Sequence, residues 1–207
     1  MGEIGVDEAL SEISALRLQM ARSTEFRGFG PGALAATALV AVGAAAAQGV
    51  LAPDPVADIH AYVGLWSGAA ILSVAVVAAE AIRRSRVAHS GLADDMLVAA
   101  AEQFLPSAFA GVLLTLVLLA RAPEALWMLP GLWQMILGLG LFAACRNLPP
   151  SLRVVAGWYM ATGLANLAFA QGAFALSPWA MGLPVAVGEG LAAALLWRSY
   201  RGGYDHG

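Results

Sequence analysis

Glu189 sits near the middle of a long apolar stretch, Ser177 to Arg198, where an ionisable group has few reasons to be unless it does something. On a helix of 3.6 residues per turn, Gly182, Ala186, Ala192 and Ala193 share its face, and Leu183, Val187, Leu191 and Leu195 lie opposite. In a bilayer, small faces pack on neighbouring helices and bulky aliphatic faces meet lipid, so the carboxyl is expected to point into a bundle. Other polar residues fall inside apolar stretches at helical spacing. Gln103, Ser107, Gly111 and Thr115 form one stripe, Gly131, Gln134, Gly138 and Cys145 a second, and Tyr159, Thr162 and Asn166 a third. Counted from the ends of their stretches, Gln134, Asn166 and Glu189 reach similar depth. The expected site is a midplane polar pocket for a small or lipid-like ligand, formed by Glu189, Gln134, Asn166, Thr162, Tyr159 and Thr115. The competing reading is interhelical hydrogen bonding that only fixes packing, worth about 0.6 kcal/mol per bond on average. For Glu189 an amide would serve packing at lower cost than a carboxylate, which favours a site there. Every Arg lies at or beyond the end of an apolar stretch. Desolvation therefore predicts that Glu189 is neutral and donates a hydrogen bond to Gln134, Asn166 or a ligand.

Several chemistries are excluded by spacing. A bis-histidine haem needs two imidazoles facing one plane, whereas His60, His89 and His206 are scattered over different connections. No His-Glu-x-x-His or clustered Cys offers a zinc site, no Gly-rich phosphate loop is present, and a serine hydrolase would want a His or Asp at depth. The lone Cys145 allows no internal disulfide. No cofactor, metal or enzymatic activity is therefore expected. Nor is nucleic-acid binding, which calls for a basic patch.

The elements that must position Glu189 are transmembrane helices. The chain has 207 residues, of which 60% are hydrophobic and 12% charged, against about 25% charged in soluble domains. Its mean hydropathy is +0.74. The pattern predicts an all-α polytopic membrane protein, six transmembrane helices preceded by an amphipathic cytoplasmic helix. The spans are expected at Pro31 to Ala52, Ala61 to Ile82, Glu102 to Ala120, Leu126 to Cys145, Val154 to Leu176 and Trp179 to Trp197, each near the roughly 20 residues that cross a bilayer. The organisation is a cytoplasmic segment over 1–30, a bundle over 31–200 and a cytoplasmic tail over 201–207.

Charge sets the expected orientation. Of the eleven basic residues, all Arg, only Arg121 lies on the side of the Pro-rich connection Pro53 to His60. The other ten, among them Arg83, Arg84, Arg86, Arg146, Arg153 and Arg198, share the opposite side with both termini, which the positive-inside bias places in the cytoplasm of a cell whose inner membrane holds the protein. Residues 1–30 are too polar to read as a signal peptide, so the first span is expected to remain as an anchor. Val6, Leu10, Ile13, Leu16 and Met20 give that segment an apolar stripe, with acidic residues early and Arg late as the helix dipole prefers. The stripe either packs on the protein's own loops, binds a cytoplasmic protein partner, or frays. In the loop Arg83 to Ala101, Ser90 is placed to cap a helix running into the third span, and Glu80 to pair with Arg83 and Arg84.

Pro130 and Pro184 each precede a polar residue, Gln134 and Glu189, by about one turn, and each is expected to free a backbone carbonyl beside it. Trp127, Trp179 and Trp197 suit the membrane interface. Two stretches, Ala21-Arg-Ser-Thr-Glu-Phe-Arg-Gly28 and Ser177-Pro-Trp-Ala-Met-Gly-Leu-Pro-Val-Ala-Val-Gly188, resemble signature positions of a bacterial family of six-span membrane proteins with no assigned activity. The resemblance implies the topology and carries no catalytic residue. The functional expectation is a transporter or sensor of a small or lipid-like ligand. The alternative is a structural or regulatory membrane subunit engaging a cytoplasmic protein partner.

Overall fold

The structure, a computed structural model, describes residues 30–88, 91–146, 148–170 and 172–202. The expected amphipathic helix of the first 29 residues, the capping position Ser90, the stretch Ala21 to Gly28 and the tail from 203 onward lie outside them. The described residues form six helices and no strand: α1 (Pro31–Leu51), α2 (Ile59–Ala88), α3 (Gly91–Arg121), α4 (Leu129–Ala144), α5 (Leu152–Phe169) and α6 (Pro178–Gly202). Five segments are long and apolar enough to cross a membrane: Pro31–Leu51, Ile59–Arg84, Ala101–Arg121, Pro123–Ala144 and Pro178–Ser199. Helix α5, 18 residues long, is not one of them; it carries Arg153, Tyr159, Thr162 and Asn166.

Helices α2 and α6 run on past the expected ends Ile82 and Trp197, and two further differences bear on the site. The fifth stretch does not run on to Leu176, because the helix ends at Phe169 and the chain turns through Gly172, whose φ of +59° suits a residue without a Cβ, into a 3-10 turn at Gly172–Phe174. The fourth helix begins at Leu129, after a 3-10 turn at Pro123–Met128. Pro130 therefore sits in the first helical turn, where its missing N–H has no partner to lose, and it frees no carbonyl beside Gln134. Pro184, by contrast, is inside α6.

The helices are arranged as a ring in the order α2, α1, α6, α5, α4, α3, with α1 packed most extensively on α6 and α4 on α5. The ring closes only weakly, since α2 and α3 touch little. Two buried clusters fill it. One joins Ala144, Cys145, Leu148, Leu152, Val155, Ala192 and Leu196 toward the arginine-rich end, and the other joins Ala44, Ala45, Ala52, Tyr62, Trp66 and Leu176 toward the opposite end. The rest of the apolar surface faces outward: Leu39, Ile71, Val74, Leu105, Phe109 and Leu116 are all more than half exposed. Soluble monomers rarely expose contiguous apolar patches beyond a few hundred Å², so these faces belong against lipid.

Glycine sets how closely α4 and α5 approach. A Cβ on Gly131 would stand 2.8 Å from the carbonyl oxygen of Gly163, and a Cβ on Gly163 2.8 Å from that of Gly131. A Cβ on Gly138 would meet the Ala156 carbonyl at 3.0 Å. The two contacts lie on opposite-running helices in one register, so α4 and α5 pack backbone to backbone, as small residues permit in membranes.

Candidate functional site

The carboxyl of Glu189 is reached by two hydroxyls from two other helices. Tyr159 on α5 donates from its phenol to Oε1 at 3.0 Å, and Thr37 on α1 stands 3.0 Å from Oε2. Tyr159 and Thr37 are buried and Glu189 partly so. Local sequence makes the approach possible: a Cβ on Gly188 would fall 2.6 Å from the Tyr159 ring, so only glycine lets the phenol lie across α6 to the neighbouring carboxyl.

Counting hydrogens defines what this junction can hold. The Thr37 hydroxyl has one hydrogen and two oxygens in reach, the Leu34 carbonyl at 2.8 Å and Glu189 at 3.0 Å. When Thr37 donates to Leu34, the contact with Glu189 requires a hydrogen on the carboxyl; when Thr37 rotates to donate to Glu189, the group can be ionised and accept from both hydroxyls, while Tyr159 also has the Val185 carbonyl in reach at 3.5 Å. One hydroxyl rotation thus accommodates either state, and among the described residues the carboxyl is bonded by these two hydroxyls and by no Arg.

Gln134 and Asn166 meet elsewhere. Pro184 has no N–H for the Ala180 carbonyl four residues before it, and that carbonyl instead accepts from Gln134 Nε2 at 2.8 Å and Asn166 Nδ2 at 2.7 Å. Asn166 also donates to Gln134 Oε1 at 3.2 Å, and Gln134 to the Met181 sulfur at 3.6 Å. Neither amide bonds Glu189. Along α6, Ala180 and Glu189 are nine residues apart, about 13 Å at the helical rise. The expected single pocket is therefore resolved into two junctions at different depths, because α5 runs antiparallel to α6 and carries Tyr159 and Asn166 to different turns of it.

The remaining expected site residues serve locally. Thr162 donates to the Trp158 and Tyr159 carbonyls of its own helix at 3.0 and 3.3 Å. Thr115 donates to the Gly111 carbonyl at 2.7 Å and accepts from Trp133 Nε1 at 2.8 Å, tying α3 to α4. Sequence reasoning missed Thr37 and Gln48. Buried Gln48 donates to the Leu176 carbonyl at 2.7 Å and accepts from Trp66 Nε1 at 2.9 Å. The available signal was their isolation, one hydroxyl and one amide in an otherwise apolar α1. Trp158 was also missed as a donor; its indole bonds the Pro184 carbonyl at 2.9 Å. At the arginine-rich end, Glu80 pairs with Arg83 at 2.8 Å and Arg84 at 2.6 Å. Among the described residues no three His, Cys, Asp or Glu side chains gather where they could hold a metal ion.

Together these features define the class: an all-helical membrane protein of multi-pass type, its helices tied by isolated polar junctions. No protein-family model matches the chain, and neither a curated protein nor a solved structure matches it.

Proposed function

We propose that the chain is a six-span protein of a bacterial inner membrane, both termini cytoplasmic, that binds a small or lipid-like ligand at the junction of α1, α5 and α6 around Glu189, as a transporter or sensor. The observation that carries this reading is the Glu189 carboxyl held by the hydroxyls of Thr37 and Tyr159. A group needed only for packing is more cheaply an amide, as Gln134 and Asn166 are, whereas a carboxyl between two rotatable hydroxyls can change protonation or partner without unfolding its surroundings. Support for α5 as the sixth span comes from its length, 18 residues or about 27 Å against a hydrocarbon thickness of about 30 Å, and from its antiparallel packing beside α4. The ten-to-one arginine asymmetry supports the orientation.

The subunit reading, with a cytoplasmic protein partner, is favoured by one observation. The amide pair satisfies a carbonyl that Pro184 would otherwise leave bare, which is a packing role. The two readings part at Glu189→Leu. Native mass spectrometry of the purified protein should show a small-molecule adduct that Glu189→Leu loses while its thermal unfolding stays cooperative; identical adducts in both proteins would leave the subunit reading in its place. Orientation is checked by single-cysteine labelling on a Cys145→Ser background, with external reagent expected to mark position 54 and not position 84.

A further inference from the structure

An open groove of about 590 Å³ lies between α1 and α6, one turn toward the arginine-rich end from Glu189. Its walls are Pro31, Gly32 and Ala35 on one helix and Ala193, Ala194 and Trp197 on the other, with Arg198 at its mouth. The groove exists because both helices present small residues there; a Cβ on Gly32 would meet nothing within 4 Å. Its lining is apolar apart from the single guanidinium. Arg198 is exposed and makes no ion pair among the described residues, and Trp197 is 54% exposed.

We infer that this groove is a binding site for an anionic phospholipid, with one acyl chain along the Gly32, Ala35 and Ala194 walls and the phosphate on Arg198. Charge complementarity selects the occupant. An apolar slot with one cation, Arg198, in its described lining suits a molecule with a long hydrocarbon and a negative head, and basic pockets between helices on the cytoplasmic side recognise such headgroups. An indole beside the guanidinium sits at the depth where hydrocarbon gives way to headgroup. A zwitterionic lipid would bring its own ammonium to Arg198 and gain less. The inference rests on the orientation proposed above, which puts this end in the leaflet rich in anionic lipid, and concerns a groove whose lining does not include Glu189.

The test reads Trp197 directly. The full chain is reconstituted in phosphatidylcholine bilayers containing a minor fraction of acyl-brominated phosphatidylglycerol or, separately, the same fraction of acyl-brominated phosphatidylcholine. The Trp197 signal is the fluorescence difference between wild type and Trp197→Phe. Brominated phosphatidylglycerol should quench that signal with about fivefold higher apparent affinity, the preference that one arginine near the surface provides. Arg198→Gln should abolish the preference, Arg153→Gln should keep it, and Gly32→Leu should weaken quenching by both lipids. Equal quenching by the two lipids in wild type overturns the inference. So does quenching of the Trp197 signal by neither, which would mean that protein covers the groove. Glu189→Leu is expected to leave the ratio unchanged, so the ligand site and the lipid groove fail separately; a ratio that follows Glu189 and ignores Arg198 also overturns the groove.

Discussion

The two polar junctions on α5 are built from the same helix and differ in what their atoms leave open. At Asn166 the donors are all placed: two amides meet a carbonyl that Pro184 leaves without its backbone donor, and the amide hydrogens of Asn166 and Gln134 have acceptors. At Tyr159 the count closes in at least two ways, since Thr37 can point to Leu34 or to Glu189 and Tyr159 has both Glu189 and the Val185 carbonyl in reach. A junction with one solution fixes geometry. A junction with two solutions can register a proton or a ligand. The separation along α6 keeps them independent, so a change at Glu189 need not disturb the seam that Pro184 and the amides hold.

The largest expected effect comes from forcing a permanent charge into the adaptable junction. Glu189→Lys would set an ammonium against the Thr37 and Tyr159 oxygens with no carboxylate to pair it, and should cost about 3 kcal/mol, the scale for a charge at a helix centre in the membrane. A thermal-unfolding or denaturant series in detergent checks it, and an unchanged midpoint would show that the site opens to water. At the closed junction the effect is smaller and coupled. Gln134→Leu removes one of two donors to the Ala180 carbonyl and should cost about 1 kcal/mol, near the middle of the range for membrane hydrogen bonds. Restoring the backbone donor with Pro184→Ala should reduce the cost of Gln134→Leu, and a double-mutant cycle with no coupling would break the assignment of the amides to that carbonyl. The smallest effect belongs to Glu189→Gln, which keeps the shape and both hydrogen-bonding atoms. Stability should change by less than about 1 kcal/mol. An infrared band from a protonated carboxyl, the state that goes with Thr37 donating to Leu34, should vanish in this variant. If wild type shows only carboxylate bands at neutral pH, the two-solution account of Thr37 loses its neutral half.

The hydropathy pattern made the helices and most of their ends legible, because long apolar runs bounded by Arg and Pro have few other solutions. Glu189 was legible for the same reason, as a charge where charge is expensive. Its partners were not. Thr37 comes from a helix far away in the chain, and no periodicity within α1 says that α6 lies beside it. The sequence also allowed Pro130 and Pro184 the same role; only the start of α4 at Leu129 separates a proline that opens a helix from one that interrupts it. Depth counted from span ends places the amide pair beside Glu189 as pocket lining. The early end of α5 at Phe169 upset that count.

The close packing of α1 on α6 has a consequence for biogenesis. Thr37 and Glu189 are separated by 152 positions, so the first helix of the ring enters the membrane well before its main neighbour exists. Until α6 arrives, Thr37 has only its own Leu34 carbonyl to bond, Tyr159 has no carboxyl, and the small faces of α1 lie against lipid. The junction around Glu189 is thus a late product of insertion, completed when α6 closes against a helix made much earlier. Arresting synthesis short of α6 would leave α1 open to translocon or chaperone crosslinking, and adding α6 as a separate polypeptide would be expected to protect it.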